Sequence, residues 1–361
     1  MLSKITFSEL FHDRIPFDPT QGQAMAMTLL ADFICETQSN SLFLLQGYAG
    51  TGKTTLISAL VKTLATLKKK TVLLAPTGRA AKVFSSYSQQ KAFTIHKHIY
   101  RMQMRDGMLL FSRKENKLNN TLFIVDEVSM ISDSQQGGEL FSSRSLLEDL
   151  INYVFEGENN KLLFIGDDAQ LPPVHADESP ALMSDYLSSC FHLQSHGYQL
   201  TDVVRQTYNS GILYNANLLR KKIASLETAP PLLSRQYFDD FIKIHGNELE
   251  EVLNTLYNQY NSDEIVLITR SNKRAYIFNN EIRNRILFRE NIIATGDYIM
   301  AVKNNYYWVD EKSEVGFIAN GDIMEILAIN RIEELYGFHF ANVTVRLCDY
   351  PDYPHLDIKI I

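Results

Sequence analysis

The sequence predicts an α/β fold organised around a parallel sheet. Four short apolar runs, at residues 42–45, 71–75, 122–125 and 162–165, have the length and composition of strands buried on both faces. Helical stretches separate them, the pattern of parallel strands joined by crossovers. Each run ends in a polar or glycine-rich cluster, and ligands of open α/β sheets bind at the C-terminal ends of the strands.

Taken in order, residues 18–36 read as a helix opened by Asp18-Pro19, a cap residue followed by proline in the first turn. Leu42-Phe43-Leu44-Leu45 then leads into Gly47-Tyr48-Ala49-Gly50-Thr51-Gly52-Lys53-Thr54-Thr55, a G-x-x-x-x-G-K-T string. Apolar residues at 56, 57, 60, 61 and 64 follow on one helical face. A strand, this loop and a helix in that order make a P-loop rather than a bare glycine-rich turn. The backbone N–H groups of Gly47, Ala49, Gly50, Thr51 and Gly52 can wrap a triphosphate. Lys53 can reach the β- and γ-phosphates, and Thr54, backed by Thr55, can offer its hydroxyl to Mg²⁺. The helix N-terminus adds partial positive charge.

Thr71–Ala75 reads as the second strand, ending at Pro76, and Leu122–Val125 as the third, ending at Asp126-Glu127. Leu162–Ile165 is the fourth, ending at Gly166-Asp167, with a helix over Ser145–Phe155 before it. Between residues 100 and 120 the pattern turns to a hairpin closing at Asp106-Gly107. Pro230-Pro231 marks a loop. Glu264–Thr269 reads as a further strand and Lys273–Leu287 as a helix. From Gly296 onward strands dominate, at 298–302, 306–309, 317–318, 323–329 and 343–347.

The 361 residues suffice for two or three domains. The apolar fraction of 45% and charged fraction of 21% are those of a water-soluble globular protein. No apolar run approaches the ~18 residues of a membrane span, and the first residues carry no secretory signal, so no membrane partner is expected. Cys35, Cys190 and Cys348 lie far apart, without metal-binding spacing, and read as reduced thiols of a cytoplasmic protein. A net charge of −7 excludes a surface coated for nucleic acid, though not a local track made partly of amides and hydroxyls.

Chemistry beyond the P-loop gathers at the other strand ends. Asp126 and Glu127 supply one acid for Mg²⁺ and one to orient an attacking water. Gln170, in Gly166-Asp167-Asp168-Ala169-Gln170-Leu171-Pro172-Pro173-Val174, is either a γ-phosphate sensor or part of a Pro-Pro turn. Arg205, in Leu200-Thr201-Asp202-Val203-Val204-Arg205-Gln206, is either an arginine finger or a paired surface residue. Ala75-Pro76-Thr77-Gly78-Arg79-Ala80-Ala81-Lys82 and Thr94-Ile95-His96-Lys97 offer hydroxyls, amides and cations to a phosphate backbone, while His96 alone reads as a packed histidine. Lys68-Lys69-Lys70 complements a helix end, and Tyr306-Tyr307-Trp308 suits strand packing better than base stacking.

Together these strings resemble superfamily 1 DNA helicases of the RecD-like, 5′→3′ class, also described as exodeoxyribonuclease V alpha-like and associated with DNA repair. Phe17-Asp18-Pro19-Thr20-Gln21-Gly22-Gln23 looks like the Q motif, with Gln23 reading adenine. GYAGTGKT, APTGRAAK, TIHK, VDEVSM, GDDAQLPPV and LTDVVRQ follow as successive motifs. Thr269-Arg270-Ser271-Asn272-Lys273-Arg274 and Phe317–Asp322 resemble later strings.

The resemblance implies ATP and Mg²⁺ as cofactors, held in part by Thr54 and Asp126. Lys53, Asp126, Glu127, Gln170 and the finger Arg205 would act on the nucleotide. It implies single-stranded DNA, or DNA with a single-stranded tail, as partner, touched by Pro76, Thr77, Arg79, Lys82, Thr94, His96, Ser271 and Asn272. The architecture implied is a first RecA-like ATPase domain over 1–200 with a strand-splitting pin at about 100–120. A partial second RecA-like domain over 201–295 and a β-rich SH3-like insert over 296–361 complete it, with ATP at the cleft between the RecA-like domains. The family's last two motifs, a T-x-H-x-x-Q-G string and a T-R-A-like string, have no match before Ile361, so the expectation is a truncated chain. Two functions follow: a helicase or translocase driven by ATP, or a nucleotide- and DNA-binding fragment without motor activity. A small-metabolite kinase is disfavoured by GDDAQLPPV and APTGRAAK.

Overall fold

The computed structural model describes residues 4–361 except 39, 106–107, 134–144, 174–175, 203–209, 226, 236–237, 263, 304, 306, 311–312, 314 and 316, and gives only the backbone of 102–105 and 108–110. Two compact units are formed. One comprises Met1–Gln206, Met300–Met324 and Leu347–Tyr353; the other comprises Thr207–Ile299, Glu325–Arg346 and Pro354–Ile361.

The first unit opens with helices α1 (Lys4–His12) and α2 (Gln21–Cys35). Then come β1 (Ser41–Gly47), α3 (Lys53–Thr66), β2 (Lys70–Ala75), α4 (Gly78–Ser88), β3 (Ala92–Thr94) and α5 (Ile95–Ile99). The hairpin β4 (Tyr100–Arg105) and β5 (Met108–Arg113) follows, and then β6 (Thr121–Val125), α6 (Leu146–Glu156), β7 (Lys161–Gly166), α7 (Ser184–Phe191) and β8 (Gln194–Leu200). The sheet order is β3-β2-β6-β7-β1-β8, with every pair parallel. β1 lies between β7 and β8, with Leu42 opposite Leu162 and Ser195.

Alternation along the strands divides the core in two. Phe43, Leu45, Leu122, Ile124, Leu163 and Ile165 pack with Phe7, Leu30, Leu60 and Phe84 from α1 to α4. Leu42, Leu44, Phe123, Val125, Leu162 and Phe164 pack with Ile95, Leu147, Leu150 and Leu187 from α5 to α7. Successive side chains of a strand point to opposite faces, so a sheet covered on both sides needs continuous apolar runs.

Local details correct several expectations. The first long helix starts at Gln21 rather than Asp18, because Thr20 is its cap. The Thr20 hydroxyl accepts from Gln23 N and the Gln23 side chain accepts from Thr20 N, a capping box. Helix α6 starts as its sequence suggests, with Ser145 accepting from Glu148 N. Helix α1, the short β3, the edge strand β8 and helix α7 lack a clear apolar period and form beyond what the sequence pattern predicts.

In the second unit, α8 (Gly211–Ala224), α9 (Leu249–Gln259) and α10 (Asn272–Glu281) are helical, and α10 continues as one π turn, Ile282–Ile286. The strand expected at Glu264–Thr269 does not form. Val266 is 82% exposed and Ile268 89%, and a strand without a neighbour leaves its N–H and C=O groups unpaired. A four-stranded sheet has the order β12 (Leu356–Ile360), β11 (Phe338–Leu347), β10 (Ile323–Leu335), β9 (Tyr298–Met300). β10 and β11 run longer than the sequence suggests, and β12 was not foreseen. In the part of the first unit that spans Met300–Met324, residues 307–309 form bends rather than a strand, and Ile318 makes only an isolated bridge with Asn305. Asp297 accepts from Arg283 at 2.8 Å and from Ala294 N at 2.7 Å and pairs with Arg289. Burial alone would raise its pKa; these arginines overcome that and hold the carboxyl below the usual range.

Candidate active site

The site lies at the C-terminal ends of β1, β6 and β7. Gly50 (φ +83°) and Gly52 (φ +87°) take the left-handed backbone that lets the loop after β1 curl before α3. Gly47 is crowded from another direction. A Cβ there would lie 2.8 Å from Leu200 Cβ and 2.9 Å from Thr51 Oγ1, so only glycine lets β8 and the loop close on each other. Thr51 is fully buried, and its hydroxyl donates to Tyr48 O at 2.7 Å.

A cavity of about 400 Å³ sits over this loop. Tyr48, Ala49, Gly50, Gly52, Lys53, Thr54 and Thr55 line it from the loop; Phe17, Tyr87, Asp126, Glu127 and Gln170 line it from elsewhere. Lys53 Nζ donates to Gly47 O and, at 3.1 Å, to Tyr48 O, and lies 4.0 Å from Asp167 Oδ2. Asp167 is itself buried. The ammonium thus folds back on its own loop, within reach of an acid.

β6 delivers the two acids. Asp126 Oδ1 accepts from Glu127 N at 2.9 Å, and Oδ2 accepts from Tyr87 Oη at 2.6 Å. Glu127 has φ +54°, which swings the chain out of the strand. Burial raises the pKa of Asp126 despite hydrogen bonds from Tyr87 and Glu127 N. Burial and the neighbouring Asp126 charge raise that of Glu127, while Lys53 pulls it down. Gln170 follows β7; its N bonds Asp167 O at 3.2 Å and its Oε1 accepts from Ser129 Oγ at 3.3 Å.

The remaining candidates are distributed as follows. Gln23 is buried and does not line the cavity; its Nε2 donates to Thr51 O at 3.0 Å, bracing the loop from behind. Thr77 caps α4 by accepting from Ala80 N at 3.2 Å, next to Pro76 and the exposed Arg79. Lys82 lies 3.6 Å from Asp349. Thr94 caps α5, accepting from Lys97 N, and the His96 ring lies 5.7 Å from that of Tyr100. Ser271 caps α10, whose first residue is Asn272. Arg205 lies outside the described residues, as does the hairpin turn at Asp106-Gly107. Sequence reasoning gave no role to Tyr87 or to Asp167. Asp167 was visible inside the GDDAQ string, whereas nothing local marks Tyr87, which reaches the site only through the packing of α4.

A family model described as an AAA domain matches residues 20–229, more than half of the chain. The chain belongs to that family, as a RecD-like superfamily 1 member. It is 26% identical over 341 residues to the uncharacterized protein R530 of Acanthamoeba polyphaga mimivirus, covering 87% of this chain and 65% of that one. It is 30% identical over 192 residues to the ATP-dependent DNA helicase dda of Enterobacteria phage T4, covering 52% and 40%. To the RecBCD enzyme subunit RecD of Buchnera aphidicola subsp. Acyrthosiphon pisum it is 30% identical over 176 residues, covering 43% and 25%. The chain therefore spans less than two thirds of the length of each of these relatives. Among the described residues no helix is long and apolar enough to cross a membrane.

Proposed function

We propose that this chain carries the ATP-hydrolysing machinery of a DNA helicase that moves 5′→3′ along single-stranded DNA. The observation that carries the reading is the shared cavity of Lys53, Thr54, Asp126, Glu127 and Gln170. Phosphoryl transfer to water requires a cation on the transferring phosphate, an acid to orient the water and a group that detects the γ-phosphate.

In this reading Lys53 leaves the carbonyls of Gly47 and Tyr48 for the β- and γ-phosphates of ATP. Glu127 orients the attacking water and accepts its proton, a role suited to a carboxylate whose proton affinity is raised. Gln170 touches the γ-phosphate, and its bond to Ser129 registers the loss. Thr54 and Asp126 present hard oxygen donors to the same cavity and would hold Mg²⁺, which neutralises phosphate charge. Arg205 serves as the arginine finger. Pro76, Thr77, Arg79, Lys82, Thr94 and His96 contact the DNA backbone from the first unit, and Ser271 and Asn272 from the second. The similarity to the phage T4 helicase dda and to the RecBCD subunit RecD supports the assignment.

ATP hydrolysis by the full chain, with and without single-stranded DNA, tests this. Turnover stimulated by DNA and abolished in Lys53→Ala is the expected result. Wild-type turnover in Lys53→Ala would overturn the assignment of the loop, and ATP binding without turnover would make the chain a binding module.

A further inference from the structure

We propose that Tyr87 is a positioning residue for hydrolysis, tying the helix that opens at Thr77 to the carboxylate of Asp126. The inference rests on the ATPase reading above and deepens it.

Tyr87 lies near the end of α4, about 15 Å along the helix axis from Thr77. Its hydroxyl donates to Asp126 Oδ2 at 2.6 Å, the length of a charge-assisted O–H···O⁻ bond. The residue is held in two further ways, through its ring and through its main chain. It stacks on Phe84 with centroids 5.1 Å apart, and Ser58 Oγ of α3 donates to the Tyr87 carbonyl at 2.7 Å. One residue of the helix that follows β2 thus touches both the helix that follows the P-loop and the acid at the end of β6.

The hydroxyl does not consume the acid. Oδ2 is engaged by Tyr87 and Oδ1 by Glu127 N, and each oxygen keeps a further lone pair. The carboxylate is fixed in plane, with capacity left toward the cavity that both residues line. A displacement of α4 when its first turn binds a phosphate backbone would therefore reach Asp126 through one side chain. Phenylalanine would fill the same space, so packing alone does not account for the hydroxyl.

Tyr87→Phe in the full chain isolates that hydroxyl, since the ring stack and the Ser58 bond to the main chain persist. Two quantities are measured: the Mg²⁺ concentration giving half-maximal binding of a fluorescent ATP analogue, and the ratio of ATP turnover with and without single-stranded DNA. The expected outcome is a Mg²⁺ midpoint raised roughly tenfold, the effect of losing one hydrogen bond to a charged group, together with a reduced stimulation ratio. An unchanged midpoint, or a lower one because the hydroxyl competes with the ion, overturns the positioning role whatever happens to melting temperature. An unchanged ratio overturns the link to DNA. Wild type and Lys53→Ala are run alongside, and absence of turnover in wild type counts against the ATPase reading, while the binding midpoint still decides the role of Tyr87.

Discussion

At the scale of single residues the site is built from groups held in forms that water would not give them. Glu127 is the clearest, with a pKa raised by burial and by its neighbour Asp126. Glu127→Gln should lower ATP turnover by about 10²–10⁴-fold, the usual contribution of general base catalysis. It should leave nucleotide affinity within a few-fold, as measured by steady-state kinetics beside analogue binding. Gly52 makes a backbone demand instead. With φ at +87°, Gly52→Ala should cost about 1–2 kcal/mol in chemical denaturation and weaken nucleotide binding. Most of this was legible beforehand, because the loop, the Asp126-Glu127 pair and the GDDAQ string are contiguous in sequence. Tyr87 was not, since its partner lies 39 positions away and no spacing rule joins them.

At the scale of elements, caps and braces decide where helices start and how they meet the loop. Gln23 both closes the capping box of α2 and supports Thr51 O. Gln23→Ala should therefore destabilise the first unit by about 1–3 kcal/mol, the cost of leaving buried partners unpaired, and weaken nucleotide binding without touching the ligand. Equilibrium unfolding with and without nucleotide separates the two effects. The four central strands were readable because burial on both faces writes itself as an uninterrupted apolar run. β8 was not, because as an edge strand it carries Gln194, Ser195, His196, Gly197, Tyr198 and Gln199 and shows no such run. Glu264–Thr269 misled in the opposite direction: it has the composition of a buried strand but lies largely exposed.

At the scale of the whole first unit, a half-buried histidine packed on the apolar layer makes stability depend on acidity. His98 lies against Phe93, Phe123 and Tyr153, and its Nε2 has no hydrogen-bond partner among the described residues. Burial, aided by Lys114, lowers its pKa to about 4. Between that value and the ordinary 6.5, the unfolded chain binds a proton that the folded unit refuses. This contribution is present above pH 6.5 and is lost as pH falls toward 4, to an extent on the order of 3 kcal/mol. Unfolding free energies of wild type and His98→Leu, measured across that window, should differ in slope, with the variant flatter.

The left-handed backbone at Glu127 sets two pressures against each other at one codon. Tolerance of φ +54° favours glycine, asparagine or aspartate there and penalises β-branched residues. Hydrolysis asks for a carboxylate with the reach of glutamate. A saturation library sorted for abundance and separately for ATP turnover should rank the substitutions in different orders, with small residues enriched in the first sort and depleted in the second. Lineages that had given up hydrolysis would be expected to drift toward glycine or asparagine at this position before altering the loop around Lys53.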